Sequence, residues 1–333
     1  MYHRYIEKKE RDFSYRDTNR RVLPFEIGQE WLPADGNLDL RERLHRLVDQ
    51  ALRDSDNFFS LPAEPEYRVE GDELTFPSPL PSHIEPNDLA RARLFLKPGA
   101  DRVVVILPHW NAQPHSYVSL AKGFNFFNVS AVRLSLPYHD GRRPSHTERS
   151  DYLVSPNLAR TLHANRQAVI DTRAVVHWLK RQGFERIGIV GTSIGSCIGY
   201  LAFAHDVNIR AAAFNHVSNF FADVVWTGLS TRFVRQGLES HIGLDELRYS
   251  WLPISPHSYI ERVRRNYRPH LLITARYDTT FRPELTEQLF AAYRRLDIPY
   301  ERAELPCGHY TTGMFPFNIY DGYLITRYLL RHL

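Results

Sequence analysis

The stretch Ile187-Gly188-Ile189-Val190-Gly191-Thr192-Ser193-Ile194-Gly195 decides how this chain is read. A β-branched run leads straight into Gly191-Thr192-Ser193-Ile194-Gly195, and Ser196 to Ala204 continue with helical character. A strand that turns sharply into a helix at G-x-S-x-G holds its serine at a strained backbone angle. Side chains two residues before and after that serine would collide with the adjoining strand and helix, so glycine stands at both places. The hydroxyl is then held proud of the sheet edge, with a helix N-terminus aimed at it. The pattern alone recurs by chance, so its weight rests on what surrounds it.

Outward from this turn, strands and helices alternate. Tyr67–Glu70 and Ala90–Leu96 read as half-exposed antiparallel strands, and Val103–Leu107 as a strand covered on both faces. Ser130–Leu136, Ile187–Gly191, Ala211–Phe214, Leu271–Thr274 and Tyr300–Leu305 continue the series. Helical patterns lie between them at Ser116–Phe126, Asn157–Gln182, Ser196–His205 and Glu284–Leu296, with a terminal helix near Ile319–Leu330. This order implies an α/β fold whose mostly parallel, doubly wound sheet has about eight strands. Residues 218–265, with Phe220, Phe221, Val224, Val225, Trp226 and Trp251, interrupt the alternation and are expected to form an inserted helical cap. Residues 67–333 are read as the main domain and 1–66 as an N-terminal extension. In that extension Pro24, Pro33 and Gly36 break any helix before residue 36, and Asn37 looks like an N-cap for a helical stripe from Leu40 to Ala51.

Composition narrows the function classes. In 333 residues, 43% hydrophobic and 24% charged content are ordinary for a globular protein. No apolar run is long enough to span a membrane, and no secretory signal is expected in a start as charged as Arg4 to Asp12. Cys197 and Cys307 are the only cysteines, which fits a reducing, cytoplasmic setting. The net charge of +4 comes with interspersed acids and no basic block, so a nucleic-acid partner is not expected.

A serine hydroxyl is barely ionised at neutral pH, so a nucleophilic Ser193 needs a base and a group that orients the base. Asp278 follows the strand Leu271–Thr274, and His309 follows the last strand, in Pro306-Cys307-Gly308-His309. Both sit at carboxyl ends of strands, where parallel sheets place their chemistry, on the same rim as Ser193. The order Ser, Asp, His agrees with a G-x-S-x-G elbow.

On these residues, Tyr67 to Leu333 resembles the α/β-hydrolase superfamily. The resemblance implies that Ser193 attacks a carbonyl, His309 relays protons and Asp278 orients it. It implies an oxyanion hole from the backbone N–H groups of Ile194 and of Trp110, in Pro108-His109-Trp110-Asn111-Ala112, where such chains often carry His-Gly. Pro137-Tyr138-His139-Asp140-Gly141-Arg142-Arg143-Pro144 is similar to the P-Y-x-G-R-R-x-P stretch of some α/β-hydrolase-domain proteins with lipid-esterase associations, with Asp140 inserted.

Each of these residues has a plainer reading. Asp278 can be a turn residue capping the next helix, and Asp223 is its rival as the orienting acid. His109 and Trp226 are expected on the substrate pocket, the plainer reading of Trp226 being cap core. His109, His115, His139 and His146 have no carboxylate at ligand spacing, so no metal site is expected. Arg142 and Arg143 either face an acidic substrate or form structural ion pairs. The expectation is therefore a cofactor-free carboxylesterase acting on a small acyl ester, lipids among the candidates. An acyltransferase using the same acyl-enzyme, or a silent binding protein of this fold, is the alternative. A peptidase is less favoured, and a dehalogenase would need a carboxylate at position 193.

Overall fold

Among the described residues nine strands form the sheet, in the order β1-β2-β3-β5-β4-β6-β7-β8-β9. They are β1 (Arg68–Glu70), β2 (Glu73–Pro77), β3 (Leu89–Phe95), β4 (Arg102–Leu107), β5 (Ser130–Leu134), β6 (Arg186–Thr192), β7 (Ile209–Asn215), β8 (His270–Ala275) and β9 (Glu301–Leu305). The computed structural model describes residues 1–16 and 21–333. Antiparallel pairing joins β1 to β2, β2 to β3 and β3 to β5; from β5 to β9 every pairing is parallel. The strand beyond the expected eight is β2, in which Leu74 and Phe76 are buried and their neighbours are not.

The central strands are apolar because both faces are covered. On β4, Val103, Val105 and Leu107 join the core that includes Leu158, Leu162, Cys197 and Leu201 of the helices Leu158–Arg181 and Ile194–His205. Val104 and Ile106 point the other way, to Ala121 and Phe124 of helix Val118–Phe126 and Ile325 and Leu329 of helix Phe317–His332. Each such fully buried side chain contributes about 1.5–3 kcal/mol over exposure.

Short helices Phe221–Thr227, Arg232–Leu238, Leu244–Ser250 and Ile260–Arg265 fill the segment between β7 and β8. Their buried Leu238 and Leu247, and Trp251 directly after helix Leu244–Ser250, belong to the same core as the sheet. The N-terminal segment departs from its irregular reading. Residues Tyr2–Arg16 form a helix that buries Ile6, Glu10 and Ser14 along one face, at the four-residue spacing of a helical stripe. The helix breakers Pro24, Pro33 and Gly36 all lie beyond it. The next helix, Leu40–Arg53, starts at Asp39 rather than Asn37, because Asp39 and Glu42 close a reciprocal capping box. That helix meets the segment after β7 through the ion pair Arg41–Glu246 (3.1 Å) and the hydrogen bond from Tyr249 Oη to Asp49 (2.6 Å).

Candidate active site

Ser193 ends β6 with φ 57° and ψ −123°, a conformation that costs on the order of 1–3 kcal/mol. The surroundings hold it there. Its N–H donates to Asn215 O (2.8 Å), and its carbonyl accepts from Ser196 Oγ (2.6 Å) and Ser196 N (2.8 Å). A methyl group on Gly191 would lie 2.1 Å from Gly195 O, and one on Gly195 2.3 Å from Leu107 O. Gly191 is required because the start of the following helix folds back on it, and Gly195 because Leu107 at the end of β4 and Pro108 after it pack directly on the turn.

Beside the serine, His309 Nε2 lies 3.1 Å from Ser193 Oγ and His309 Nδ1 lies 3.1 Å from Asp278 Oδ2. Each residue follows a different strand: β6, β8 and β9. The Asp278 carboxylate is saturated. Oδ1 accepts the N–H groups of Thr280 (2.8 Å) and Phe281 (2.7 Å). Oδ2 accepts from His309 and also from His216 Nδ1, at 2.7 Å. His216 is buried directly after β7, at φ 58°, with Nε2 3.3 Å from Thr312 Oγ1. The Phe281 ring stacks on His309, 5.5 Å between centroids and 8° between planes.

Electrostatics follow from burial and pairing. Burial disfavours the His309 cation, but the Asp278 charge and hydrogen bond, with Glu10, outweigh it and raise its pKa. Burial disfavours the Asp278 anion too, yet the paired histidines hold its carboxyl well below the usual range. For His216 burial prevails over the Asp278 hydrogen bond, and its pKa is lowered. Burial, then the nearby His309, pushes His109 down to about 3.

A cavity of about 1070 Å³ opens over the serine. His109, Trp110, Ile194, Phe221, Val224, Val225 and Phe281 line it. His109 Nδ1 is 2.7 Å from Tyr117 Oη, and the Trp110 ring is fixed by its N–H to Ser150 O (2.9 Å). The bonds that order this loop use the amides of His109, Asn111 and Ala112, and among the described residues none uses the Trp110 amide.

Other expected residues lie elsewhere. Trp226 is outside this cavity, in a separate groove with Glu7, Arg11, Arg232 and Arg235, its ring 5.5 Å from the Arg235 guanidinium. The helix Phe221–Thr227 turns Phe221, Val224 and Val225 toward the cleft, so the residue between turns faces away. Asp223 is held by Arg248 in a two-point pair (2.6 and 3.1 Å). Arg142 is fully buried, paired with Asp171 at 2.8 Å, while Arg143 lines the cleft. His139 is a strut, accepting from Asn111 N (2.9 Å) through Nε2 and donating through Nδ1 to Pro137 O (2.9 Å). Asp140, the inserted residue, pairs with Arg133 at 2.8 Å.

The ligand atoms of His216, Asp278 and His309 lie within 4.8 Å of one another, a spacing that suits a metal ion. An ion there would need both Nδ1 atoms unprotonated and would replace the two N–H bonds to Asp278. Metal binding and proton relay are thus alternative uses of one set of atoms. His216 was not singled out from the sequence, although a polar Asn215-His216 pair ending an apolar strand marks the same rim. Glu10, discussed below, carries no such signal in its charged helix.

The fold is that of the α/β-hydrolases. Acetyl xylan esterase 1 from Thermoanaerobacterium sp. JW/SL YS485 aligns with 87% of this chain and 98% of its own, at TM-score 0.61 and 14% identity. An acetyl xylan esterase from Paenibacillus sp. R4 covers 93% of this chain and 100% of its own, at TM-score 0.59 and 14% identity. Acylaminoacyl peptidase from Pyrococcus horikoshii covers 82% of this chain at TM-score 0.57 and 13% identity, and this chain spans 42% of the peptidase's length. No protein-family model and no curated protein sequence matches the chain. Among the described residues no helix is long and apolar enough to cross a membrane.

Proposed function

We propose that the chain hydrolyses carboxylic esters through an acyl-enzyme on Ser193. The observation that carries this reading is the unbroken line Ser193 Oγ, His309 Nε2, His309 Nδ1, Asp278 Oδ2, with 3.1 Å at each hydrogen bond, at the floor of a large cleft. As Ser193 attacks the acyl carbon, its proton passes to His309 Nε2. Asp278 keeps Nδ1 protonated and stabilises the imidazolium. The negative charge developing on the carbonyl oxygen is met by the amides of Ile194, at the N-terminus of its helix, and Trp110. His309 then gives its proton to the leaving alcohol, takes one from water as the water oxygen attacks the acyl carbon, and returns that proton to Ser193 Oγ as the free acid departs.

The apolar side chains of Phe221, Val224, Val225 and Phe281 suit an acyl chain against one wall. Among the neighbours of like fold two are esterases by name and one is a peptidase, so an ester substrate is compatible with the likeness. A p-nitrophenyl ester series from acetate to palmitate, run on the native chain and on Ser193→Ala, tests the reading. Turnover that disappears in Ser193→Ala, with fluorophosphonate labelling lost in parallel, is expected. Full activity in that variant would end it.

A further inference from the structure

The N-terminal helix Tyr2–Arg16 lies far from Ser193 in sequence, yet one of its side chains ends among the loops that carry the base and its acid. Glu10 is fully buried. Its Oε1 accepts the N–H of Thr311 (2.8 Å), and its Oε2 accepts the N–H of Tyr310 (3.2 Å) and the hydroxyl of Thr279 (2.9 Å). Tyr310 and Thr311 directly follow His309, and Thr279 directly follows Asp278. One carboxylate therefore ties together the two loops whose separation sets the His309–Asp278 hydrogen bond.

The fit is close enough to dictate sequence. A methyl group at Gly308 would sit 2.4 Å from Glu10 Cδ and 2.6 Å from its Oε1, so the residue before His309 is glycine where the carboxylate passes. The helix is anchored at both ends. Tyr2 Oη donates to Pro306 O (2.5 Å), the Tyr2 ring meets Tyr277 at 5.9 Å, and Arg232 hydrogen-bonds Ser14. A carboxylate accepting several donors, buried and close to a histidine, also sets the local field, and a negative charge there favours the imidazolium.

We propose that Glu10 is a positioning residue for the reaction, fixing the loops of Asp278 and His309 against each other and adding negative charge behind the imidazole. This rests on the Ser193–His309–Asp278 reading above. Glu10 touches no reacting atom and acts through the two loops. The N-terminal helix is then part of the catalytic unit rather than an appendage.

The test is the pH profile of kcat/KM for p-nitrophenyl acetate with the full chain, Glu10→Gln, Thr279→Val and Glu7→Gln. Glu7 lies on the same helix and pairs with the exposed Arg11 (3.1 Å), so its variant is the control. Glu10→Gln removes the charge: kcat is expected to fall by about tenfold or more with KM little changed. Its acidic limb is expected to move to lower pH, because the imidazolium loses a favourable neighbour. Thr279→Val keeps the charge and loses one tie, so kcat falls less and the limb stays in place. If Glu10→Gln does not fold, as judged by circular dichroism, Thr279→Val still decides: a kcat equal to that of the native chain overturns the proposal. A folded Glu10→Gln whose kcat and limb match the Glu7→Gln control overturns it as well. Loss of ester turnover in Ser193→Ala is scored separately. A chain whose activity survives that change fails the underlying reading, whereas one that fails only at Glu10 leaves the triad intact.

Discussion

His216 approaches Asp278 more closely than His309 does: its Nδ1 lies 2.7 Å from the carboxylate oxygen that His309 Nδ1 reaches at 3.1 Å. Two imidazoles on one oxygen, with two amides on the other, leave Asp278 no freedom to rotate. His216→Ala removes one donor from a charged acceptor, a loss of about 1.5–3 kcal/mol that corresponds to roughly a tenfold or greater fall in kcat. His216→Gln, which retains an N–H donor, is expected to recover part of it. Steady-state kinetics of both variants check this, and an unchanged kcat in His216→Ala would show that His309 and the amides of Thr280 and Phe281 suffice to keep the acid in place.

The pH dependence has a definite sign. In the proposed reaction His309 must be neutral to take the serine proton, and its pKa is raised despite burial because Asp278 and Glu10 favour the cation. Activity is therefore expected to rise with pH along a limb centred above the ordinary histidine value of about 6.5. A limb centred below that value would mean that desolvation prevails over the carboxylates.

Gly195→Ala should give little folded protein, since the new methyl would meet Leu107 O at 2.3 Å and Pro108 O at 2.6 Å, both backbone atoms. Gly199→Ala, whose nearest neighbour is the Phe214 ring at 3.4 Å, should fold and remain active. Soluble yield and thermal unfolding of the pair make the comparison. Equal behaviour would contradict the close packing of the loop on the elbow.

The buried pair Arg142–Asp171 predicts a stability effect well away from the reaction. Neither side chain has exposed surface, and burial raises the Asp171 pKa even with Arg142 beside it. Arg142→Ala leaves that carboxylate uncompensated and should cost about 3–5 kcal/mol in urea unfolding, with part restored by adding Asp171→Leu. An Arg142→Ala midpoint equal to that of the native chain would refute this.

Asp321 gives a pH-dependent counterpart. Burial outweighs the hydrogen bond from Asn215 Nδ2 (2.8 Å) and pushes its pKa up to about 7. An unfolded aspartate ionises near pH ~3.9, so between there and about 7 the native state binds the proton more tightly and stability falls as pH rises. Asp321→Asn, permanently neutral, should raise the melting temperature at pH 8 more than at pH 5. Equal shifts at both would sink the assignment.

Most of the sheet was legible because β4 and β6 are covered on both faces and so read as continuous apolar runs. Ser193 directly follows such a run and Asp278 lies three residues after β8, whereas His309 follows the mostly exposed β9 and was legible from its order after Ser193 and Asp278. The rest depends on tertiary contacts that leave no local signature. Helix Tyr2–Arg16 is so charged that its buried stripe reduces to Ile6 and two polar residues, Glu10 and Ser14. Trp226 is expected on the pocket as one of the cap aromatics, whereas its phase on a two-turn helix decides its direction. Arg142 and Arg143 are adjacent, yet one is sealed in the core and the other borders the cleft.

Phe281 lies flat against His309, 5.5 Å away and inclined by 8°. A ring backed on one face by a parallel phenyl slides within its own plane more easily than it turns over. In the proposed reaction, passing a proton from the attacking oxygen to the departing one then needs only a small in-plane excursion of His309, with Phe281 opposing a flip.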